Sequence, residues 1–310
     1  GFSVGKPRTF PTSFFGPSEE RTIWGDNSEP TVSVTDIRPS AWAMRSLLNE
    51  TECNALMRRA EERCMIDIST NSRDCLRVEL NETALSERVF RRLLPHIPEV
   101  VDIGGPGEPR LPGIKPGSAM QGRWKAVGCN PHWRVCKYPG DGKGHFGPHR
   151  DGEYAYNSER RTLLTVNGYL NALPLGFGGA TRFLREDIPL TKDEQGRDIA
   201  PPGSVTHRVH PDTPGMATVF FHDLMHDGEQ LAEGCPPKWI YRTDVVYERE
   251  PGTGPQVAAL TEAQQEARRL YAEAEDAESS DPLRAAKLYA RAFRLDDRLE
   301  AEIYRTDGDR

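Results

Sequence analysis

Six stretches of β-type composition follow one another between residues 133 and 247, at 133–138, 162–170, 180–184, 204–209, 216–221 and 239–247, with no long helical stretch between them. Turns rich in Gly, Pro and Asp separate them. A parallel sheet needs a crossover of a dozen or more residues between neighbouring strands, usually a helix, and there is none here. The succession therefore predicts an antiparallel sandwich or barrel rather than a parallel α/β sheet. Upstream, T-V-S-V-T-D-I at 31–37 alternates as an exposed strand would.

Helices are expected on either side of this core. One starts near Asn49 or Thr51 as cap, with Leu56, Met57, Ala60 and Cys64 as its apolar stripe; a second starts at Asn81 or Glu82, with Leu85, Val89, Leu93 and Leu94. The stretch 98–122 is dominated by Pro and Gly and reads as a long loop, a candidate rim for a site. Residues 1–30 read as a surface-draped or poorly ordered arm. Beyond P-G-T-G-P at 251–255, Thr261 caps a run with Ala263, Ala267, Leu270, Tyr271 and Ala274 on one face. After a break at 279–282, a second run carries Leu283, Ala286, Leu288, Tyr289, Ala292, Phe293 and Leu295. The pair looks like a helical hairpin of the tetratricopeptide type. One such unit cannot bury its own face, so it is expected to dock on the β part or on a partner protein. The expected organisation is an arm at 1–30, a mostly β domain at 31–252 (helical support 41–96, core 124–250), and a hairpin at 253–310.

Both charge signs are plentiful and the net charge is −7, which argues against a general binder of nucleic acid or anionic membrane. No apolar run approaches the roughly 18 residues that span a bilayer. The six cysteines, Cys53, Cys64, Cys75, Cys129, Cys136 and Cys235, form neither a C-x-x-C pair nor a dense framework. They read as reduced thiols of a cytoplasmic or nuclear protein. A start at Gly1 rather than Met fits a processed product whose targeting segment is gone.

The chemistry-bearing stretch is C-K-Y-P-G-D-G-K-G-H-F-G-P-H-R-D, residues 136–151, which reads as strand, glycine-rich turn, strand and ends in His149-x-Asp151. Two imidazoles and one carboxylate on one face of an octahedron hold a non-haem Fe(II) and leave the opposite face open. Two ligands then come from one strand end, and the third from a strand distant in sequence. A second His-x-Asp, His210 with Asp212, has only His222 and His226 after it and a single strand between, too little chain for a barrel to come round. Downstream of Asp151 lie G-G-A-T-R-F-L and A-T-V-F-F-H-D-L-M-H-D-G-E, a spacing that suits a double-stranded β-helix, or jelly roll. His222 and His226 compete as distal ligand. His226 is favoured because D-G-E, a short turn and the strand K-W-I-Y-R-T-D-V-V-Y follow it.

These segments, in this order and with R-T-L-L-T-V-N-G-Y-L-N among them, resemble the 2-oxoglutarate- and Fe(II)-dependent dioxygenases of the prolyl 4-hydroxylase-like branch. The resemblance covers about residues 40–250 and is strongest over 124–247; the stretch before the ligands is similar to the glycine-rich finger of the oxygen-sensing prolyl hydroxylases. It implies hydroxylation of an unactivated C–H, with 2-oxoglutarate and O2 as cosubstrates and ascorbate as a supporting reductant. An intact carboxylate at Asp151 favours hydroxylation over halogenation. The cosubstrate's distal carboxylate is expected on Lys238 or on Arg242, four residues apart on one strand face, and Tyr138, Thr165 and Tyr169 match hydroxyl-bearing positions around it. Asn167, which alternates onto the same face as Thr165 and Tyr169, would contact cosubstrate or substrate, or sit as a satisfied core amide. Trp133, Arg150, Tyr154, Tyr156 and Arg182 are the candidate substrate contacts. A peptidyl, prolyl-type substrate is expected, with a free amino acid or other small metabolite as the alternative. From other classes, a non-catalytic β-barrel scaffold and a cupin-like metalloprotein stay open.

Overall fold

The computed structural model describes residues 30–105, 111–114, 118–255, 261–278, 281–297 and 299, so the expected arm at 1–30 lies almost entirely outside the described residues. The chain divides at Gly254/Pro255 into two compact units.

The larger unit is mostly β. An 11-stranded sheet is built around Arg160–Tyr169, which pairs with Ala217–Phe221 on one side and with the long strand Lys238–Arg249 on the other. The order continues outward through Ala41–Arg45 to Ser33–Arg38 on the first side. On the second it runs through His132–Tyr138 and Leu76–Asn81 to Ile66–Asp67. A five-stranded sheet contains, in order, Val205–Val209, Thr181–Leu184, His226–Gly228, His145–His149 and Arg73–Asp74. Every pairing in both sheets is antiparallel.

Side chains alternate across a strand, so each strand of the large sheet presents two different faces. Trp133, Val135, Val166, Val219, Tyr241 and Val245 point to one face. There they meet Cys53, Leu56 and Ala60 of the helix Glu50–Glu62 and Leu85, Val89 and Leu93 of the helix Thr83–Leu93. Trp133 stacks on Tyr241, with ring centroids 4.9 Å apart, and its indole N–H donates to Ser86 Oγ. Gly168 admits this packing, since a Cβ there would come within 2.1 Å of the Tyr241 ring. Tyr138, Tyr169, Phe220 and Ile240 point to the other face and pack with Phe183 and Val209 of the small sheet. The large sheet is thus covered by helices on one side and by the small sheet on the other.

Asn49 caps the first helix through a reciprocal pair with Glu52. The buried Glu52 carboxylate also takes a bidentate bond from Arg92 on the second helix, at 2.8 and 2.9 Å. Residues 41–45, expected with the helical support, instead form a strand paired with Ser33–Arg38 and Ala217–Phe221. The stretch 98–122, read as loop throughout, contains the strand Val100–Ile103. This pairs with Gly122–Cys129, itself a strand lying before the first expected β run.

In the smaller unit, the helices Glu262–Ala277 and Pro282–Leu295 pack through Ala267, Leu270 and Ala292, with Tyr271 against Tyr289. Thr261 and Gln264 form a capping box at the first; Asp281 caps the second, with Pro282 in its first turn. All six cysteines are free. No helix among the described residues is long and apolar enough to cross a membrane.

Candidate metal centre

His149 ends a strand of the small sheet and pairs in register with His226 on the next strand; Asp151 follows two residues later. Their ligand atoms lie within 4.8 Å of one another. His149 Nε2 is 3.7 Å from Asp151 Oδ1, and His226 Nε2 is 3.7 Å from Asp151 Oδ2. Two donors about 2.1 Å from a cation and at right angles stand about 3 Å apart, so a divalent metal fits between these three with a small inward movement.

Both histidines are held in the tautomer that ligation requires. His149 Nδ1 is 2.8 Å from the Gly147 carbonyl, and His226 Nδ1 is 2.9 Å from the Leu224 carbonyl. A carbonyl only accepts, so each Nδ1 carries the proton and each Nε2 lone pair faces Asp151. Phe146 stacks on His149 at 3.6 Å, and Phe220 meets His226 edge-on at 4.7 Å. Burial pushes the His149 imidazole down to about 3, helped by the neighbouring His226. Burial alone would raise the Asp151 carboxyl, but the Arg242 guanidinium, helped by the Thr165 hydroxyl, outweighs it and holds the group well below the usual carboxylate range. A neutral imidazole at His149 and an ionised carboxylate at Asp151 are the states in which such groups bind a metal.

A layer of partners supports the carboxylate. Arg242 Nη1 lies 3.0 Å from Asp151 Oδ1, and its Nη2 lies 3.2 Å from Asp244. Thr165 Oγ1 donates to Asp151 Oδ2 at 2.7 Å. With that proton committed, His222 Nδ1, 2.8 Å from Thr165 Oγ1, donates to it, and His222 Nε2 accepts from Thr162 Oγ1 at 2.9 Å. Thr162 in turn accepts from the Tyr154 N–H. His222, the rival distal ligand in the sequence, thus has both nitrogens engaged by threonines and belongs to this supporting layer.

Lys238 and Arg242 share a sheet face but not a situation. The Lys238 ammonium is buried against the rings of Tyr138 and Tyr169, 5.5 and 5.6 Å from their centroids. The nearby carboxylates are taken: Asp227 by Arg182 at 2.6 Å and Glu229 by Arg208 at 2.6 Å. Burial lowers Lys238 to about 8.

The substrate candidates fare differently. Trp133 is fully buried on the helix side of the sheet and cannot face the centre. Arg182 is held by Asp227, and Arg150 by Glu186 and Asp223. Thr165, expected at the cosubstrate, is spent on Asp151 and His222. Asn167 lies beside Thr181 at 3.4 Å, and the Tyr169 hydroxyl donates to the same Thr181 at 2.7 Å. Tyr154 is exposed and meets Tyr156 edge-on; the Tyr156 hydroxyl donates to Asn130. His210 and Asp212 are engaged by other partners, the Leu173 carbonyl and Arg45, and are not in the cluster of three. Residues 111–114 do reach the turn before His226, where the Asp223 N–H donates to the Gly113 carbonyl. Sequence reasoning passed over Arg134, Phe146 and the supporting role of His222. Strand alternation from Tyr138 back through Cys136 would have placed Arg134 on the site face.

His149, Asp151 and His226 bring two imidazoles and one carboxylate together, a donor set that can hold a metal ion with coordination positions left open. No protein-family model and no curated protein matches the sequence. Among solved structures, the chain is similar to the viral collagen prolyl hydroxylase vCPH of Paramecium bursaria Chlorella virus-1, in its complex with 2OG. Identity is 16% over 67% of this chain and 96% of that one, with a TM-score of 0.40. It is also similar to a Pseudomonas putida prolyl-4-hydroxylase, at 13% identity over 74% and 98% of the two chains and a TM-score of 0.39. A third is SnoN, a non-heme alpha ketoglutarate dependent epimerase from nogalamycin biosynthesis, at 14% identity over 79% and 97% and a TM-score of 0.38.

Proposed function

We propose that this chain is an Fe(II)- and 2-oxoglutarate-dependent oxygenase that hydroxylates an unactivated C–H, with the two facing sheets read as a double-stranded β-helix. His149, Asp151 and His226 would hold the metal. The observation that carries the cosubstrate is Lys238, a buried ammonium on the sheet face of the triad whose neighbouring carboxylates are already paired. An isolated buried charge is costly unless something pairs it. A dicarboxylate that reaches both the metal and Lys238 supplies that pairing, with the Tyr138 and Tyr169 rings as walls.

When bound, the iron and 2-oxoglutarate supply the oxidation, with decarboxylation of the cosubstrate to succinate. The chain's own residues do the positioning. The Gly147 and Leu224 carbonyls fix the two imidazoles. Arg242 and Thr165 hold one oxygen each of Asp151, which keeps the carboxylate ionised and its rotamer fixed. On this reading, Lys238 takes the cosubstrate's distal carboxylate and Arg242 does not, because its guanidinium is occupied by Asp151 and Asp244. A peptidyl, prolyl-type substrate follows from the sequence resemblance, with a small metabolite as the alternative.

Adding Fe(II) and 2-oxoglutarate together should raise the melting temperature and release succinate slowly without substrate. A ligand at 100 times its Kd stabilises by about 2.7 kcal/mol. Absence of both effects would sink the reading.

A further inference from the structure

The face that carries Lys238 and Arg242 continues sideways into a cluster of guanidinium groups that the metal and cosubstrate do not use. Arg134 pairs in register with Arg242 on the one side and with Glu79 on the other, and Arg77 pairs with Cys136, so all lie on the same face. Arg73, in the small sheet, pairs with Phe146 and lays its guanidinium 4.9 Å over that ring, whose plane is in turn stacked on the ligand His149. Arg73, Phe146 and His149 form a stack that leads to the metal position, and the Arg73, Arg77 and Arg134 guanidiniums all act electrostatically on the one Cys136 thiol between the sheets.

These cations are short of anions. Among the described residues, Arg73 Nε is buried with no hydrogen-bond partner. Among the described residues, the ion pair of Arg134 is a 4.0 Å approach to Glu79, because that carboxylate is drawn to Arg77 at 2.8 Å and to His132 at 3.3 Å. The Arg134 side chain is 30% exposed, so its donors are within reach of a ligand. Arg73, Arg77, Arg134, Lys238 and Arg242 stand against three carboxylates, Glu79, Asp151 and Asp244. A divalent metal and a dianionic cosubstrate add no net charge, so the excess of positive charge outlasts the loading of the centre.

We propose that Arg73 and Arg134 form an oxyanion subsite for the substrate, beside the metal on the Phe146 side, and that the substrate presents a carboxylate there. A planar guanidinium offers paired donors that match a carboxylate. Either the α-carboxylate of a free amino acid or peptide end, or an acidic side chain within a peptide, supplies this chemistry. The inference rests on the oxygenase reading and names the substrate class of that site.

The test uses the full chain, arginine-labelled and iron-free, with 2-oxoglutarate at saturation. It follows the Nε–H signals of Arg73 and Arg134, identified by Arg73→Lys and Arg134→Lys, while acetate or inorganic phosphate replaces chloride at equal ionic strength. Both signals are expected to move on saturable curves with the oxyanions and to stay in place in chloride. Signals that ignore the oxyanions, or that respond equally to chloride, overturn the subsite. A second arm separates the sources. Peptides and amino acids are compared in pairs, carboxylate end against amide end and Glu against Gln, by the stimulation of succinate release. The carboxylate member should act at a concentration roughly 10- to 100-fold lower than its amide, as charge-assisted bonds are worth, and Arg134→Met should collapse that ratio. Equal action of paired members overturns the subsite while the oxygenase reading stands. If neither succinate release nor any signal change with 2-oxoglutarate occurs, the oxygenase reading itself has failed, and the subsite with it.

Discussion

The two faces of the large sheet are made by alternate residues of the same strands, yet they follow opposite rules. On the helix side, Trp133, Tyr241 and Val245 are closed in by apolar neighbours. On the other side, Arg134, Lys238 and Arg242 stand one residue out of step with them, and only Arg242 has strong carboxylate partners. Packing density explains the first face. The second holds more positive charge than its neighbouring carboxylates pair, and packing does not account for it.

Substitutions on the two faces should therefore separate function from stability. His149→Ala is expected to cut 2-oxoglutarate-dependent turnover by more than the roughly 100-fold that loss of an outer-layer partner costs. The melting temperature of the metal-free protein should move little, by no more than about 1 kcal/mol of stability, because the ring is only partly buried. Trp133→Ala should do the reverse. Emptying that site is expected to cost about 3–5 kcal/mol in chemical denaturation, while the folded protein keeps its iron affinity. A Trp133→Ala protein as stable as the parent, or His149→Ala with normal turnover, would break the division between faces.

Much of this division was legible beforehand. The alternation in T-V-N-G-Y and K-W-I-Y-R-T-D assigns Thr165, Tyr169, Lys238 and Arg242 to one side, and the D-G-E, turn and strand that follow His226 favour it over His222. Less was legible where a residue's meaning depends on its partner. Trp133 looked like a substrate contact because aromatic side chains serve sites and cores alike. The alternation that puts Tyr138, Cys136 and Arg134 on the site face puts Trp133 on the other, where it stacks on Tyr241. Arg182 and Arg150 were equally ambiguous until Asp227, Glu186 and Asp223 were placed beside them. The strand Val100–Ile103 was missed because the prolines and glycines that follow it dominate the local composition. Pairing with Gly122–Cys129 is a long-range event that local propensity does not record.

Lys238→Met sharpens the comparison further, since here function and stability should move in opposite directions. Losing a charge-assisted contact is expected to weaken 2-oxoglutarate binding by roughly 10- to 100-fold. The cosubstrate-free protein should gain stability, because a buried ammonium gives way to an apolar chain of similar length. Titration calorimetry and denaturant unfolding read the two effects independently. Thr165→Val should be milder, lowering iron affinity by roughly tenfold, because Arg242 still holds the other carboxylate oxygen.

The smallest effect is one of pH. Lys238 is lowered by burial from 10.5 to about 8. The unfolded chain therefore binds the extra proton between those values, and without cosubstrate the group's destabilising effect fades as pH rises through that window. Binding has the opposite sign, because the dicarboxylate needs the ammonium. Above about pH 8, 2-oxoglutarate must bring a proton with it, and its affinity should fall by up to about tenfold per pH unit. Calorimetry near pH 9 in two buffers of different ionisation enthalpy should show uptake approaching one proton per cosubstrate; near pH 7 it should show almost none. The uptake should vanish in Lys238→Met. Buffer-independent enthalpies at pH 9 would mean that some other group receives the distal carboxylate, and would remove Lys238 from the site.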